Sequence, residues 1–133
     1  MDMFDAAQIR TFLCSPAGRK MRGAAEKGRL HREQPFVLGV EARQVDPRWN
    51  SEETVLVQGI IDAWFTEEDG KIVLIDYKTD RVAGLPDPEE EMLRRYRVQL
   101  KLYQEALERL TGRTVKDTWI YSFDLGDIIP VEG

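Results

Sequence analysis

The chain has 133 residues, a length typical of one domain, and 32% of them are charged while 42% are hydrophobic, which excludes extensive disorder. No apolar run approaches the ~20 residues that a membrane-spanning helix needs, so we expect no membrane partner. The single cysteine, Cys14, excludes an internal disulfide and any site built from several cysteines, and it is compatible with a reducing, cytoplasmic location.

The net charge of −5 argues against strong binding of nucleic acid by bulk electrostatics, because neutralising phosphates requires lysine and arginine. A nucleic-acid function would depend on a local basic patch, a metal ion or a larger protein that delivers the strand. Two basic clusters are visible, at residues 19–27 and 94–101. The second is either a solvated helix face or a guide for a strand.

Helices are predicted over residues 2–25, where Ile9, Phe12 and Leu13 have the spacing of one helix face. Ser15-Pro16 should end one helix and cap the next, since serine accepts hydrogen bonds from free backbone amides. Alternating or β-branched patterns then predict three strands, at residues 30–45, 54–65 and 71–77. The acidic turn at residues 67–70 joins the last two as a hairpin, and the polar residues 46–51 connect the first two.

A long amphipathic helix follows, with Asp87 as its N-cap, Pro88 as its first residue and Glu90 at the capping-box position. Apolar residues then recur at spacings of three and four as far as Gly112, which should end the helix. Two further strands at residues 115–123 and 128–131 complete an α/β domain with a mixed sheet.

Three charged residues interrupt the apolar strands. Asp76 and Lys78 are two positions apart on one strand, so they share a face, about 7 Å apart along the backbone. Hairpin pairing can bring Asp62 beside them. Two carboxylates and an ammonium group are costly in a core, and bound Mg²⁺ or Mn²⁺ would relieve that cost, because hard cations take oxygen ligands. The alternative is an ion pair at a solvated strand end.

Three motifs occur in a specific order: Gly59-Ile60-Ile61-Asp62, then Asp76-Tyr77-Lys78-Thr79, then Gln99 with Tyr103. They resemble the PD-(D/E)XK nuclease superfamily, and most of all the RecB-type nuclease domain at the C-terminus of AddA-type helicase–nuclease subunits. The resemblance extends from about residue 5 to the end. It implies a restriction-endonuclease-like α/β core, a mixed central sheet flanked by helices. Residues 1–133 would be a single nuclease domain, with residues 1–29 as its N-terminal helical part and residues 30–133 as its core.

The resemblance implies hydrolysis of DNA phosphodiester bonds with Mg²⁺ or Mn²⁺. Asp62, Asp76 and the backbone carbonyl of Tyr77 would ligate the metal, and Lys78 would position or activate the attacking water. Gln99 would hold that lysine or the water, and Tyr103 would reach a phosphate. The alternatives are that Gln99 is only solvated and that Tyr103, which belongs to the apolar stripe of the helix, serves the core.

The sequence departs from the family pattern in two respects. RecB-type nucleases carry a metal-ligand histidine in a Gly-x-x-x-His motif upstream of the first strand, whereas the only histidine is His31, which we interpret as a surface residue. No phosphate-binding loop of a motor is present. We therefore expect a C-terminal fragment of a larger helicase–nuclease, weak or inactive alone. Glu33 is either a site acid or the partner of a nearby arginine.

In that family the intact enzyme processes double-strand breaks for recombinational repair, and its motor feeds a single strand to the exonuclease. The expected partners are DNA, the helicase portion of the same polypeptide, for which alone ATP is needed, and an AddB-type partner subunit. Two other hypotheses remain. One is a catalytically silent DNA- or subunit-binding module that retains the nuclease fold, and the other is a stand-alone nuclease of the superfamily.

Overall fold

The computed structural model describes residues 6–49 and 52–132. Their elements, in chain order, are α1 (Ala6–Cys14), α2 (Pro16–Glu26), β1 (Leu30–Glu41), α3 (Ala42–Val45), β2 (Thr54–Thr66), β3 (Ile72–Lys78), α4 (Pro88–Thr111), β4 (Val115–Ser122) and β5 (Asp127–Pro130). The strands form one mixed sheet in the order β1-β2-β3-β4-β5. Strands β3 and β4 are parallel, and the other neighbours are antiparallel. The predicted fold class is confirmed. Within the described chain, no helix combines the length and the apolar character needed to cross a membrane.

Side chains predicted to cap two helices do so. The hydroxyl of Ser15 accepts a hydrogen bond from the Gly18 amide at 3.1 Å, and the Asp87 carboxylate accepts one from the Glu90 amide at 3.2 Å. Helix α4 ends at Gly112, whose φ of 71° lies in the left-handed region that glycine adopts without strain. Residues 2–5 of the predicted N-terminal helix and the side chain of Ile9 lie outside the described residues.

The first predicted strand is too long at its C-terminal end, because residues 42–45 form the short helix α3. The side-chain oxygen of Gln44 accepts a hydrogen bond from the Glu41 amide at 3.1 Å, which turns the chain immediately after the strand. The apolar pattern of this segment suits a strand and a helical turn equally well, so it did not reveal the turn. Residues 50 and 51 of the predicted connection lie outside the described residues.

The sheet buries both of its faces in its central part. Helix α4 covers one face, where Leu102 and Leu107 pack with Leu74. Helices α1 and α2 cover the other face, where Phe12 packs with Ile75. Strand β3 is therefore buried on both sides from its first residue to Asp76, which explains its continuous apolar run. The carboxylate that ends this run is buried with it.

The regular alternation of β1 and β2 is interrupted where Glu33 would pair with Asp62. The flanking pairs, Arg32 with Ala63 and Gln34 with Ile61, are in register. Glu33 has a φ of 51°, a left-handed conformation that costs a residue other than glycine about 1–3 kcal/mol. Because the ladder is broken at this point, Asp62 is free to direct its carboxylate at β3.

Candidate active site

Asp76 and Lys78 point to the same face of β3, as their spacing predicts. The Lys78 ammonium lies 2.9 Å from Oδ2 of Asp76, and only 4% of the Asp76 side chain and 17% of the Lys78 side chain are exposed. Among the described residues, Asp76 Oδ2 has no hydrogen-bond partner of good geometry. The pair is therefore a buried ion pair with unused acceptor capacity, and not the solvated strand-end pair that the sequence left open.

Asp62 reaches this pair from the neighbouring strand. The regular β2–β3 ladder ends at Ala63 with Ile75, and Asp62 is the next residue outward. Its Oδ2 accepts a hydrogen bond from the Tyr77 amide at 2.9 Å, so a side chain takes the place of a main-chain partner. This bond holds the Asp62 carboxylate beside Asp76 at the point where the two strands separate.

Helix α4 supplies the polar residues above the pair. The Lys78 ammonium donates to Gln99 Oε1 at 3.2 Å, and Gln99 Nε2 donates to the Tyr103 hydroxyl at 3.3 Å. Gln99 is therefore a partner of the lysine rather than a solvated residue. Tyr103 has both of its predicted characters, because its ring packs edge-on against Phe36 while its hydroxyl faces the polar chain.

Two residues that the sequence analysis did not single out belong to the same arrangement. The Lys78 ammonium lies 4.1 Å from the centroid of the Tyr96 ring, a cation–π contact. The Tyr96 hydroxyl donates to Asp80 at 2.8 Å, and Asp80 also pairs with Arg95 at 2.8 Å. A signal for Asp80 was available, since it continues the i, i+2 pattern of Asp76 and Lys78. Tyr96 was hidden by its place in the apolar stripe of the helix.

The electrostatics of Asp76 reflect its position between opposing influences. Burial raises the pKa of Asp76 from 3.8 to about 6, Lys78 opposes that rise, and the neighbouring Asp62 carboxylate adds to it. Two carboxylates held this close in a buried place repel each other. A bound divalent cation would remove that repulsion, so the donor chemistry fits a hard metal.

The described residues contribute two carboxylates to this centre and no more. No group of three or more histidine, cysteine, aspartate or glutamate side chains suited to a metal comes together within residues 6–49 and 52–132. His31 lies away from the carboxylates near the start of β1 and stacks on Trp64, with ring centroids 4.0 Å apart. This exposed position agrees with the interpretation of His31 as a surface residue.

Glu33 lies beside Asp62 in a cleft lined by both residues, and it forms no ion pair with any described arginine. Its left-handed conformation is a feature that no residue pattern announced. The basic surface predicted on the long helix is partly neutralised, because Glu91 pairs with both Arg94 and Arg95. That cluster therefore offers less positive charge than its sequence indicates.

Comparison with known proteins agrees with this geometry. A family model described as the PD-(D/E)XK nuclease superfamily matches residues 7–127. The chain is 43% identical over 98% of its length to an AddA-type ATP-dependent helicase/nuclease protein of Anoxybacillus flavithermus. It is 44% identical over 91% of its length to a protein of the same name in Alkaliphilus oremlandii, and 36% identical over 94% to one in Lachnoclostridium phytofermentans. The chain spans about a tenth of the length of these relatives.

Proposed function

Because the chain belongs to the PD-(D/E)XK nuclease superfamily, we propose that it carries the site of a metal-dependent hydrolysis of DNA phosphodiester bonds. The observation that carries this proposal is the buried Asp76–Lys78 pair with Asp62 held beside it. A core with no chemical task would gain by replacing such a cluster with apolar side chains. The strained backbone of Glu33 next to the cluster supports the same conclusion.

We assign Asp62, Asp76 and the backbone carbonyl of Tyr77 as the groups that would hold Mg²⁺ or Mn²⁺. These donors are all oxygen atoms, which both cations prefer, and they leave positions for water and phosphate. The cation would supply charge neutralisation at the phosphate and a more acidic water. The short donor set supports the expectation that this chain binds metal weakly when it is alone.

The remaining residues would handle the water and the phosphate. Lys78, fixed by Asp76 and Gln99, would orient the attacking water and balance the charge that develops on the scissile phosphate. Gln99 keeps the lysine from swinging into solvent, because its own amide is tied to Tyr103. The Tyr103 hydroxyl would donate to a phosphate oxygen at the edge of the same polar chain.

The names of the relatives support a wider proposal for the whole protein. We propose that residues 1–133 are the exonuclease domain of an ATP-dependent helicase–nuclease, with residues 1–29 as a helical part and residues 30–133 as the core. The helicase portion and an AddB-type partner subunit would deliver a single strand from duplex ends during break repair. The net charge of −5 supports this division, since an acidic domain gains from having its substrate delivered.

The test combines metal binding with cleavage. Calorimetry with Mg²⁺ and Mn²⁺ should show weak binding that Asp62→Asn or Asp76→Asn abolishes and that the surface variant Asp127→Asn retains. Cleavage of end-labelled single-stranded DNA should be slow, and it should be lost in the same two variants. Equal cleavage by wild type and Asp76→Asn would identify a contaminant.

The alternative of a catalytically silent module makes the opposite prediction. It requires that no divalent metal binds at millimolar concentration and that DNA or a partner subunit still binds. Fast cleavage that depends on Asp76 would instead confirm the nuclease and contradict the weak activity that we expect of this chain alone.

A further inference from the structure

A cleft opens next to Asp62 on the face of the sheet that α1 and α2 cover, whereas Lys78 faces α4 on the other side. Its volume is about 390 Å³, within the range of about 300–1,000 Å³ typical of small-ligand sites. We call it the Asp62 cleft, and its lining includes Phe12, Arg22, Arg32, Asp62, Tyr77 and Phe123. It therefore joins the metal-ligand candidate Asp62 to a space that the hydrolytic residues do not use.

Aromatic rings form one side of the cleft. The Phe12 and Tyr77 rings meet edge-on with centroids 5.4 Å apart, and the Tyr77 and Phe123 centroids are 6.0 Å apart. The Tyr77 hydroxyl is fixed by a 3.4 Å contact with the sulfur of Met21, so the ring is held in place. Rigid rings beside an open volume suit a flat, weakly polar group, and a nucleobase is such a group.

Two cations stand at the same cleft. Arg22 from α2 and Arg32 from β1 are exposed, and neither forms an ion pair with any residue of the described chain. On α4, by contrast, Arg94 and Arg95 are already neutralised by acidic neighbours. In a chain of net charge −5, two unpaired guanidinium groups at one cleft favour an anion there.

We propose that the Asp62 cleft binds one nucleotide of a single DNA strand, with the base against Phe12, Tyr77 and Phe123 and the adjoining phosphate on Arg22 and Arg32. This rests on the proposed function, because it places the nucleotide next to the scissile phosphate. Glu33 and Asp62 also line the cleft, so the arginines must hold the phosphate away from these carboxylates. A base in a duplex is stacked and paired, so the cleft admits only an unpaired strand.

Binding can be measured without catalysis, by fluorescence anisotropy of a labelled oligothymidylate in EDTA at low salt. Arg22→Gln and Arg32→Gln should each weaken binding about fivefold to tenfold and lower the salt dependence by about 0.7 of a counterion each. The matched control is Arg94→Gln, which removes an arginine already paired with Glu91 and should leave binding unchanged.

The base is tested through the ligand, so that no core ring has to be removed. A strand of the same length with abasic sugars should bind wild type about tenfold more weakly than the thymidylate does. Leu13→Trp fills the cleft from a residue that is 40% exposed, and it should abolish this difference. Thermal melting confirms that each variant is folded before its affinity is used.

The inference is overturned if wild type does not bind the thymidylate at low salt, or if both arginine variants bind as wild type does. It is also overturned if the abasic strand binds equally well. These results leave cleavage that depends on Asp76 as a separate question. Strand binding through the cleft with no such cleavage would support the subsite and refute the nuclease.

Discussion

The Lys78 ammonium lies 2.9 Å from Oδ2 of Asp76, two residues earlier on the same strand. This contact has a direct electrostatic consequence, because Lys78 opposes the rise in the pKa of Asp76 that burial causes. Asp76 is thereby kept near the point where a bound cation can displace its proton at neutral pH. The same contact orients the lysine toward Gln99 on α4.

The stability of the metal-free chain should depend on pH through Asp76. Its folded pKa of about 6 lies above the unfolded value of 3.8, so the folded state binds this proton more tightly. The resulting stabilisation is complete below about pH 4 and is lost as the pH rises through about 6, by up to about 3 kcal/mol. Denaturant unfolding of wild type and Asp76→Asn from pH 4 to 7 measures it.

The difference in unfolding free energy between these two proteins isolates Asp76 from the exposed carboxylates. Glu91, for example, has its pKa lowered to about 2 by hydrogen bonds from Arg94 and Arg95, so it acts in the opposite direction. We expect Asp76→Asn to gain on wild type as the pH rises. A difference that stays constant across this range would show that Asp76 ionises normally.

Replacing Lys78 by methionine should separate its electrostatic effect from its packing. Lys78→Met keeps the aliphatic stem but removes the ammonium, so the pKa of Asp76 should rise above about 6. Cleavage should fall about 100-fold to 1,000-fold. Carbon NMR titration of the carboxyl and single-turnover cleavage check the two effects.

Lys101→Met is the matched control, because Lys101 is an exposed lysine of α4. It should leave both the pKa of Asp76 and the cleavage rate unchanged. An unshifted Asp76 titration in Lys78→Met would mean that the ion pair does not form in solution.

Tyr96 should influence Lys78 through its ring and the fold through its hydroxyl. Tyr96→Phe keeps the cation–π contact and loses the hydrogen bond to Asp80, so it should cost about 0.5–1.5 kcal/mol of stability and little cleavage. Tyr96→Leu loses both and should also slow cleavage, by about threefold to tenfold. Thermal unfolding and cleavage rates distinguish the variants. If phenylalanine slowed cleavage as much as leucine, the hydroxyl would be the important group.

Two glycines of α2 should respond oppositely to alanine. A Cβ on Gly18 would lie 2.1 Å from the carbonyl oxygen of Phe12, so Gly18→Ala must push α1 from α2 and should cost about 1–3 kcal/mol. A Cβ on Gly23 would meet no atom within 4 Å, and Gly23→Ala should stabilise by about 0.5–1 kcal/mol. Melting temperatures decide the matter, and a destabilised Gly23→Ala would contradict this packing.

Much of the fold follows from local patterns in the sequence. The capping residues Ser15 and Asp87, the hairpin around residues 67–70 and the left-handed stop at Gly112 depend on neighbours a few residues away, so their chemistry is visible in the chain. The i, i+2 spacing of Asp76 and Lys78 likewise determined that they share a face. The short helix α3 escaped prediction because its apolar residues fit two periodicities.

The tertiary structure alone decided how these parts meet. Asp62 joins Asp76 because Glu33 adopts a left-handed conformation and breaks the ladder, and no residue type announces that event. Tyr96 lies under Lys78 because α4 crosses the sheet at one particular angle and height. Local patterns reflect backbone preferences over a few residues, whereas contacts between distant segments depend on how whole elements pack, and that information is spread over the entire chain.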